Sequence, residues 1–367
     1  MKIIEPTLLL DPNKCRANIR LMAEKAERNG LFFRPHFKTH QSKEIGRWFR
    51  EFGVEAITVS SLNMARYFAA DGWKDITVAF PVNLLEINKI NQLAAAVQLN
   101  LLAVNPEPVR NLRALLKHPI GLFIKIEVGT RRTGLLPEDR AGIEAVLKEI
   151  EQSKKIKFKG FLTHAGHAYA SRSKEAIQKV HEFATAKLKE LKKKYRSSYP
   201  GLIISIGDTP TCSLAENWEG VDEIRPGNFV FYDLMQWQIG TCSFDQIAVA
   251  LACPVVAKHS DRQEVITYGG AVHLSTDRLT TKKGTNCFGL PFFLNGHSWN
   301  LPDGESFLRS ISQEHGVIKA SPSFFAKVKT GDVVGILPVH SCLTTDLAGY
   351  FQTTAGRRIE KQLHSSK

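Results

Sequence analysis

The chain has 367 residues, of which 43% are hydrophobic and 23% charged, and a formal net charge of +13 at pH 7. This length and composition are ordinary for a globular enzyme with one large and one smaller domain. No apolar stretch reaches the about 18 residues of a membrane span, and the N-terminus is no signal peptide, so we expect no membrane association and a cytoplasmic location. The six cysteines form no CxxC pair, which favours reduced thiols over disulfides.

The positive charge raises the question of a nucleic-acid partner. The lysine-rich stretch at 174–195 carries apolar residues at helical spacing, so most of its lysines fall on the solvated face of an amphipathic helix. No nucleic-acid-binding motif accompanies the charge. We therefore expect no nucleic-acid partner, although the charge favours anionic substrates.

Short apolar runs alternate with amphipathic stretches from residue 31 to residue 225. Strands are predicted at 31–34, 56–60, 76–80, 99–104, 122–128, 159–163, 202–206 and 223–225. Helices are predicted between them at 43–52, 62–71, 84–96, 108–117, 137–152 and 174–195. Eight such units predict an α/β fold with a parallel (β/α)8 barrel, and periodicity alone leaves a doubly wound open sheet as the alternative.

The pattern changes after Tyr232. Apolar runs at 247–252, 264–268, 317–319 and 333–337 are separated by Gly, Pro and Asn clusters with little helical periodicity, which predicts a mainly antiparallel β domain. The opening run at 7–10 can join either part. We place the barrel at residues 11–235 and the β domain at residues 1–10 plus 236–367.

Lys38 is the most informative residue of the chain. It follows a predicted strand and the rigid Pro35, between His36 and His40. At the mouth of a buried strand, desolvation and the nearby Arg34 would lower the pKa of its ammonium group, and the amine could then form a Schiff base with an aldehyde cofactor. The alternative is an ordinary surface lysine after a strand.

Several polar motifs follow the predicted barrel strands. Catalytic groups of such barrels collect at the C-terminal ends of the strands. The residues expected at this rim are Lys38, Arg131, Arg132, His164, Tyr169, Gly207–Thr211 and Arg225–Asn228. The two turns offer backbone N–H groups and hydroxyls, which suit a phosphate. Each motif alone is weak evidence, because glycine turns end most barrel strands, but together they predict a site for a phosphate-bearing ligand.

A second pair of candidate residues, His340 and Cys342, lies near the C-terminus. Residues two apart in a strand point to the same side, so imidazole and thiolate can hold one ion. This donor pair suits zinc and leaves coordination positions open for substrate or water. Taken alone, such a pair is more often a buried histidine beside an inert thiol.

Together the motifs resemble the D-serine dehydratase and D-threonine aldolase family, which shares the pyridoxal-phosphate fold of alanine racemase. The resemblance runs nearly end to end. Its carriers are RPHFKTH at 34–40, VGTRRTG at 128–134, HAGHAY at 164–169, GDTPT at 207–211, RPGN at 225–228 and HSC at 340–342. The first and the last of these motifs are the most specific.

The resemblance implies a role for each candidate residue. Lys38 carries pyridoxal 5'-phosphate as a Schiff base and takes the substrate's Cα proton. The remaining assignments are His164 and Tyr169 against or beside the cofactor ring, Arg132 and Arg225 at its polar edge, Thr209, Gly227 and Asn228 at its phosphate, and His340 and Cys342 at zinc.

The implied activity is that of a pyridoxal-phosphate- and metal-dependent lyase acting on a β-hydroxy D-amino acid. The pair His340 and Cys342 favours a D-serine dehydratase with zinc, because the aldolases of the family more often carry His-x-Asp with manganese or another hard divalent ion. Manganese or another divalent ion is the alternative metal. The alternatives are a D-threonine or D-3-hydroxyaspartate aldolase, an amino-acid racemase and a non-catalytic pyridoxal-phosphate-binding protein. A homodimer is expected. His273, inside the glycine-rich run at 268–275, receives no role.

Overall fold

The computed structural model describes residues 2–281, 284–295, 298–299 and 301–362. Internal contacts divide the chain into two compact units. The barrel unit spans Arg20–Gly227, and the sheet unit combines Met1–Ile19 with Asn228–Lys367. None of the helices in the described ranges has both the length and the hydrophobicity needed to cross a bilayer.

The chain opens with strand β1 (Thr7–Leu10) and helix α1 (Pro12–Arg28). The barrel strands are β2 (Phe32–Phe33), β3 (Ala56–Val59), β4 (Asp75–Pro81), β5 (Gln98–Ala103), β6 (Ile120–Lys125), β7 (Ile156–Thr163), β8 (Ile203–Ile206) and β9 (Glu223–Ile224). The helices of this unit are α2 (Lys43–Arg50), α3 (Leu62–Ala69), α4 (Ile87–Ala96), α5 (Pro106–Leu115), α6 (Arg140–Glu151), α7 (Lys174–Tyr195) and α8 (Thr209–Leu214).

The eight barrel strands are parallel and lie in the order β2-β9-β8-β7-β6-β5-β4-β3. The predicted (β/α)8 barrel is therefore confirmed against the open sheet. Strands β2 and β9 have two residues each, because Pro35 and Pro226 follow them closely and proline cannot donate to a strand ladder. Helix α6 begins later than predicted, since the Asp139 side chain accepts the N–H of Gly142 and caps the helix there.

Residues 35–37 close the barrel between β2 and β3. Thr58 donates its N–H to the carbonyl of Pro35 at 2.9 Å and accepts the N–H of Phe37 at 2.8 Å. This pairing makes His36 a parallel bridge partner of Thr58. The Phe37 ring is fully buried in an aromatic cluster formed by Phe49, Phe68 and Trp73. The segment just before Lys38 is thus fixed by both hydrogen bonds and packing.

Charged side chains fill part of the barrel interior. Arg34 donates to Asp75 at 2.6 Å and to Glu223 at 2.7 Å. Glu223 also accepts the hydroxyl of Ser205 at 2.5 Å and lies 3.9 Å from Arg225. Buried charges persist only when they are paired and hydrogen-bonded, so these contacts are needed for folding.

The sheet unit is built on a ten-stranded, mainly antiparallel sheet. Beyond β1 its strands are β10 (Val249–His259), β11 (Glu264–Tyr268), β14 (Gly289–Asn295), β15 (Ser298–Trp299), β16 (Phe307–Ile311), β17 (His315–Lys319), β18 (Val333–Pro338), β19 (Tyr350–Thr353) and β20 (Arg358–Glu360). Strands β12 (Leu279–Thr280) and β13 (Asn286–Cys287) form a separate ribbon. The helices are α9 (Leu234–Gln238), α10 (Ala271–Leu274), α11 (Pro322–Lys327) and α12 (Ser341–Leu347).

Strand β1, which the sequence could not place, belongs to this sheet. It pairs antiparallel with β10 and parallel with β19. The core beneath the sheet is apolar and nearly solvent-free, with Val265, Leu308, Ile318, Val334 and Ile336 at 0% exposure. The predicted antiparallel β domain is confirmed.

Candidate active site

Lys38 follows directly on the residues that close the barrel. Its side chain is exposed. The guanidinium of Arg34 is paired with Asp75 and Glu223 rather than directed at the lysine. The exposed side chain does not fit the desolvation expected of Lys38, and the charge of the nearby Arg34 is balanced by its two carboxylate partners. The lysine's special features are its fixed backbone and its neighbours.

Two imidazoles that remain neutral at pH 7 lie near Lys38. Burial, followed by the positive charge of Lys38, lowers the pKa of His164 to about 3. Burial, with the charges of Lys38 and Arg225, also lowers the pKa of His36 well below its ordinary value. Nδ1 of His164 is hydrogen-bonded to the carbonyl of Gly207, so this nitrogen carries the proton and Nε2 is left as an acceptor.

Cationic side chains surround the same region. The pKa of Lys125 is lowered to about 8 by burial and by the charges of Arg132 and Arg225. Arg225 is buried, and its guanidinium donates to the hydroxyl of Ser205 and the carbonyl of Thr163, both at 2.6 Å. Cationic groups this close together favour an anionic ligand.

The loop carrying Arg132 is held by a carboxylate. Glu127 accepts the N–H of Gly129 at 2.7 Å and that of Arg132 at 3.2 Å. Burial opposes ionisation of Glu127, but these backbone donors, with that of Arg131, lower its pKa. The backbone of Arg132 is therefore fixed, while its side chain is exposed.

The turn after β8 is buried and capped. Asp208 accepts the N–H and the hydroxyl of Thr211, both at 2.8 Å, and so caps α8. Burial raises the pKa of Asp208 to about 6. The N–H of Thr209 lies 3.4 Å from the hydroxyl of Tyr169. The structure thus brings Thr209 and Tyr169 together at this turn.

Gly227 and Asn228 face different surroundings. A Cβ at Gly227 would lie 2.8 Å from the carbonyl oxygen of His36 and 3.2 Å from the hydroxyl of Thr39, so the turn packs directly on the segment that carries Lys38. The Asn228 side-chain amide donates to Asp233 at 2.6 Å. It also donates to Ser341 at 3.0 Å and to Cys342 at 3.6 Å. The side-chain amide of Asn228 is occupied by these contacts. If Asn228 binds the cofactor phosphate, as the family resemblance implies, it does so through its backbone.

The predicted strand geometry for His340 and Cys342 is wrong. Strand β18 ends at Pro338, His340 is the N-cap of α12, and Cys342 lies in the first helical turn. The cause is distant in sequence: the carboxylate of Asp233 accepts the N–H of Ser341 at 2.9 Å and so stabilises the helix start.

The imidazole of His340 and the thiol of Cys342 are nevertheless in contact. Burial disfavours the charged imidazole, but hydrogen bonds to Asp277 and Cys342 raise the pKa of His340 to about 11. Nδ1 of His340 lies 2.9 Å from the carboxylate of Asp277. A carboxylate on one ring nitrogen orients the other toward a metal, as is usual for metal-binding histidines.

Three or more His, Cys, Asp or Glu side chains in metal-binding geometry are not found together in the described ranges. The pair His340 and Cys342, with Asp277 hydrogen-bonded to the histidine, stays a predicted donor set for a metal. A soft thiolate and an imidazole fit zinc, and two protein ligands leave positions for substrate oxygens.

His273 and its glycine-rich run have a structural explanation. Nδ1 of His273 accepts the N–H of Gly270 at 3.3 Å, and its ring packs edge-on against Tyr268 at 5.8 Å. A Cβ at Gly270 would lie 2.2 Å from the carbonyl oxygen of Ser312. The run therefore permits close backbone packing within the sheet unit.

Sequence reasoning missed several residues that support the site. His36 lies in the Lys38 motif but received no role, and Lys125 was read only as part of a strand. Glu127 and Asp277 act through contacts to Arg132 and His340. Asp277 lies 63 residues from His340, and no local sequence pattern predicts a contact over that separation.

Comparison with known proteins shows the family of the chain. Residues 10–234 match the family described as alanine racemase, N-terminal domain, and residues 248–354 match the putative serine dehydratase domain. The chain is 30% identical to a D-serine dehydratase of Dictyostelium discoideum over 364 residues, which cover 92% of this chain and 90% of the relative. It is 28% identical to a D-threo-3-hydroxyaspartate dehydratase of Delftia sp. (strain HT23) over 349 residues, which cover 92% of this chain and 91% of the relative.

The solved structure of the Delftia dehydratase matches with a TM-score of 0.90 and 26% identity, covering 100% of this chain and 99% of that chain. Two further solved structures of a D-threo-3-hydroxyaspartate dehydratase carry single alanine substitutions. One replaces a cysteine and is in the metal-free form, and the other replaces a histidine separated from that cysteine by one residue. The chain thus belongs to the alanine racemase-type family that includes the D-serine dehydratases.

Proposed function

We propose that this protein is a pyridoxal 5'-phosphate- and zinc-dependent lyase that converts D-serine to pyruvate and ammonia, by eliminating water and then taking it up again when the released enamine hydrolyses. The observation that carries the proposal is the amine of Lys38 on a fixed turn at the barrel closure, beside the neutral imidazoles of His36 and His164. Family membership supports an enzyme of the lyase class.

The barrel unit fits a phosphate-bearing aldehyde. Gly207 and Gly227 leave no room for a Cβ, because Arg225 packs against the first turn and His36 against the second. The backbone N–H groups of these turns would be the donors to the phosphate. Thr209 and the backbone of Asn228 would complete the phosphate site. His164 and Tyr169 would lie beside the ring. When bound, pyridoxal phosphate supplies an electron sink for the bond that breaks at Cα.

Lys38 has two tasks in this proposal. It holds the cofactor between turnovers, and once the substrate's amine has taken its place, the free amine accepts the Cα proton. Arg132 and Arg225 would face the polar edge of the ring and the substrate's carboxylate. His164 is fixed with Nδ1 protonated, so its Nε2 can accept a hydrogen bond at the ring.

The metal proposal rests on His340 and Cys342. Zinc held there would polarise the β-hydroxyl oxygen and make hydroxide a better leaving group. The Asp277 contact orients His340 and supports this role. The histidine and cysteine variants of the related dehydratase, which have the same one-residue separation, support it further.

A second candidate substrate class is a β-hydroxy D-amino acid with another carboxylate, such as D-threo-3-hydroxyaspartate. Arg132 and Arg225 lower the pKa of Lys125 through like-charge repulsion, so a second carboxylate close to these three groups would be bound favourably. Aldol cleavage of D-threonine would use the same residues with proton loss from the β-hydroxyl. The soft Cys342 ligand favours the dehydratase.

Product analysis tests the proposal. Purified holoenzyme is assayed with D-serine, D-threonine, D-threo-3-hydroxyaspartate and L-serine, with and without a chelator. We expect keto acid and ammonia from D-serine, lost with the chelator and in Cys342→Ala but retained in the control Cys287→Ala, a buried thiol of the same unit. Full activity of metal-free enzyme, or racemisation as the only reaction, would overturn it.

We also infer a cytoplasmic location and a homodimer. None of the six cysteines, which all lie in the described ranges, forms a disulfide, as is expected in a reducing compartment. The homodimer follows from the family resemblance alone. Size-exclusion chromatography with light scattering tests it, and a monomer that retains full activity would overturn it.

A further inference from the structure

The main chain of Lys38 is hydrogen-bonded from both sides by neighbouring side chains. Its N–H donates to Nδ1 of His36 at 3.3 Å, and its carbonyl accepts the side-chain amide of Gln41 at 3.1 Å. Gln41 in turn donates its N–H to the carbonyl of Phe37 at 3.0 Å. The side chain of Lys38 is exposed, so its fixed backbone contrasts with a free amine.

His36 is suited to this contact at any physiological pH. Burial, with the charges of Lys38 and Arg225, lowers the pKa of His36 well below its ordinary value, so its Nδ1 keeps an open lone pair. His36 is itself held by the bridge to Thr58 and by the packing of Gly227 against its carbonyl. The residue that accepts the hydrogen bond from Lys38 is therefore itself fixed in position.

Gln41 adopts an unusual backbone conformation. Its φ is +51°, in the left-handed region that non-glycine residues rarely occupy, and its side chain is 3% exposed. Such strain persists only where surrounding contacts fix it, and it concentrates at functional sites. A glycine would adopt this backbone more easily but has no amide to reach the carbonyl of Lys38.

We propose that His36 and Gln41 are positioning residues that fix the backbone of Lys38. With its Cα atom held in place, the side-chain amine of Lys38 can move between the cofactor and the substrate's Cα. This inference rests on the proposed function, because it takes Lys38 as the cofactor lysine. The two residues act through Lys38. Holding a reacting group in a near-attack geometry accounts for large rate factors, and misplacement by about 1 Å costs about 100-fold.

Four variants separate positioning from other roles. His36→Leu removes the acceptor, whereas His36→Asn keeps a side-chain oxygen that can accept an N–H two residues along the chain. Gln41→Met keeps length and removes the amide. Gln41→Gly removes the amide and also relieves the left-handed backbone, so it guards against loss of folding. Matched controls are the exposed residues His315→Leu and Gln178→Met.

Three measurements are made on each holoenzyme: kcat and KM, the pH midpoint of the visible cofactor band, and the thermal midpoint. We expect His36→Leu, Gln41→Met and Gln41→Gly to lower kcat by about 10- to 100-fold with KM little changed. The band should remain with a displaced pH midpoint. His36→Asn should recover most of the loss, and Gln41→Gly should lose activity with an unchanged or higher thermal midpoint.

The outcomes that overturn the proposal are distinct from those that overturn the function. Wild-type kcat and band profile in His36→Leu and Gln41→Met would show that the contacts position nothing. A loss in His36→Asn as large as in His36→Leu would assign His36 a direct role through its imidazole. Failure of the function itself appears elsewhere, as a cofactor band that survives Lys38→Ala.

Discussion

Glu223 is the carboxylate on which the buried arginines of the barrel depend. It is 1% exposed, lies 2.7 Å from Arg34 and 3.9 Å from Arg225, and accepts the hydroxyl of Ser205 at 2.5 Å. Glu223→Gln keeps the shape of the side chain but removes its negative charge. Arg34 then keeps Asp75 as its paired carboxylate, and Arg225 loses the charge of Glu223. Because breaking a buried ion pair costs about 3–5 kcal/mol, we expect this loss in the free energy of unfolding.

Urea unfolding of the cofactor-free protein, followed by circular dichroism, measures this loss. The matched control is Glu219→Gln. Glu219 pairs with Lys189 at 2.9 Å, but its side chain is 75% exposed, so about 0–1 kcal/mol is expected. A loss below about 1 kcal/mol for Glu223→Gln, or equal losses for the two variants, would refute the reasoning that burial makes this carboxylate indispensable.

Three further predictions concern the turns and the metal pair. Burial raises the pKa of Asp208 from 3.8 to about 6, so the stability contributed by its protonated form is complete below about pH 4 and lost as pH rises through about 6. Asp208→Asn keeps the helix cap and should gain about 3 kcal/mol over wild type between about pH 4 and pH 7 in urea titrations, whereas a pH-independent difference would contradict this. A Cβ at Gly227 would lie 2.8 Å from the carbonyl oxygen of His36, so Gly227→Val should shift the segment that carries Lys38 and lower both the thermal midpoint and the cofactor affinity. Gly201→Val, which meets nothing within 4 Å, should lower neither, and a lower thermal midpoint with unchanged cofactor affinity would mark Gly227 as purely structural. Chelation should abolish dehydration but leave the visible cofactor band intact, and loss of the band would place the metal in cofactor binding instead. Cys342→Asp should recover partial activity with manganese but not with zinc.

The sequence predicted the barrel well because its signals are local. Helix α7 (Lys174–Tyr195) has the predicted bounds. The Ser173 cap determines where it begins, and the long amphipathic pattern determines how far it extends. The barrel strands overlap their predicted ranges for the same reason. The domain boundaries at residues 11 and 235 and the roles of the site residues stay predictions.

The errors arose where distant residues decide the local structure. The helix start at Ser341 depends on Asp233, which lies 108 residues away. The role of Arg34 depends on carboxylates of other strands, at Asp75 and Glu223. Periodicity cannot report such contacts, because they form only after the chain has folded.

Chemical trapping of the cofactor tests the central claim most directly. Holoenzyme is reduced with borohydride, digested and analysed by peptide mass spectrometry. The account predicts that the visible band disappears and that the reduced cofactor is attached to the peptide containing Lys38 and to no other lysine. A label on a different lysine, or no stable label at all, would contradict the assignment of Lys38 and the reaction built on it.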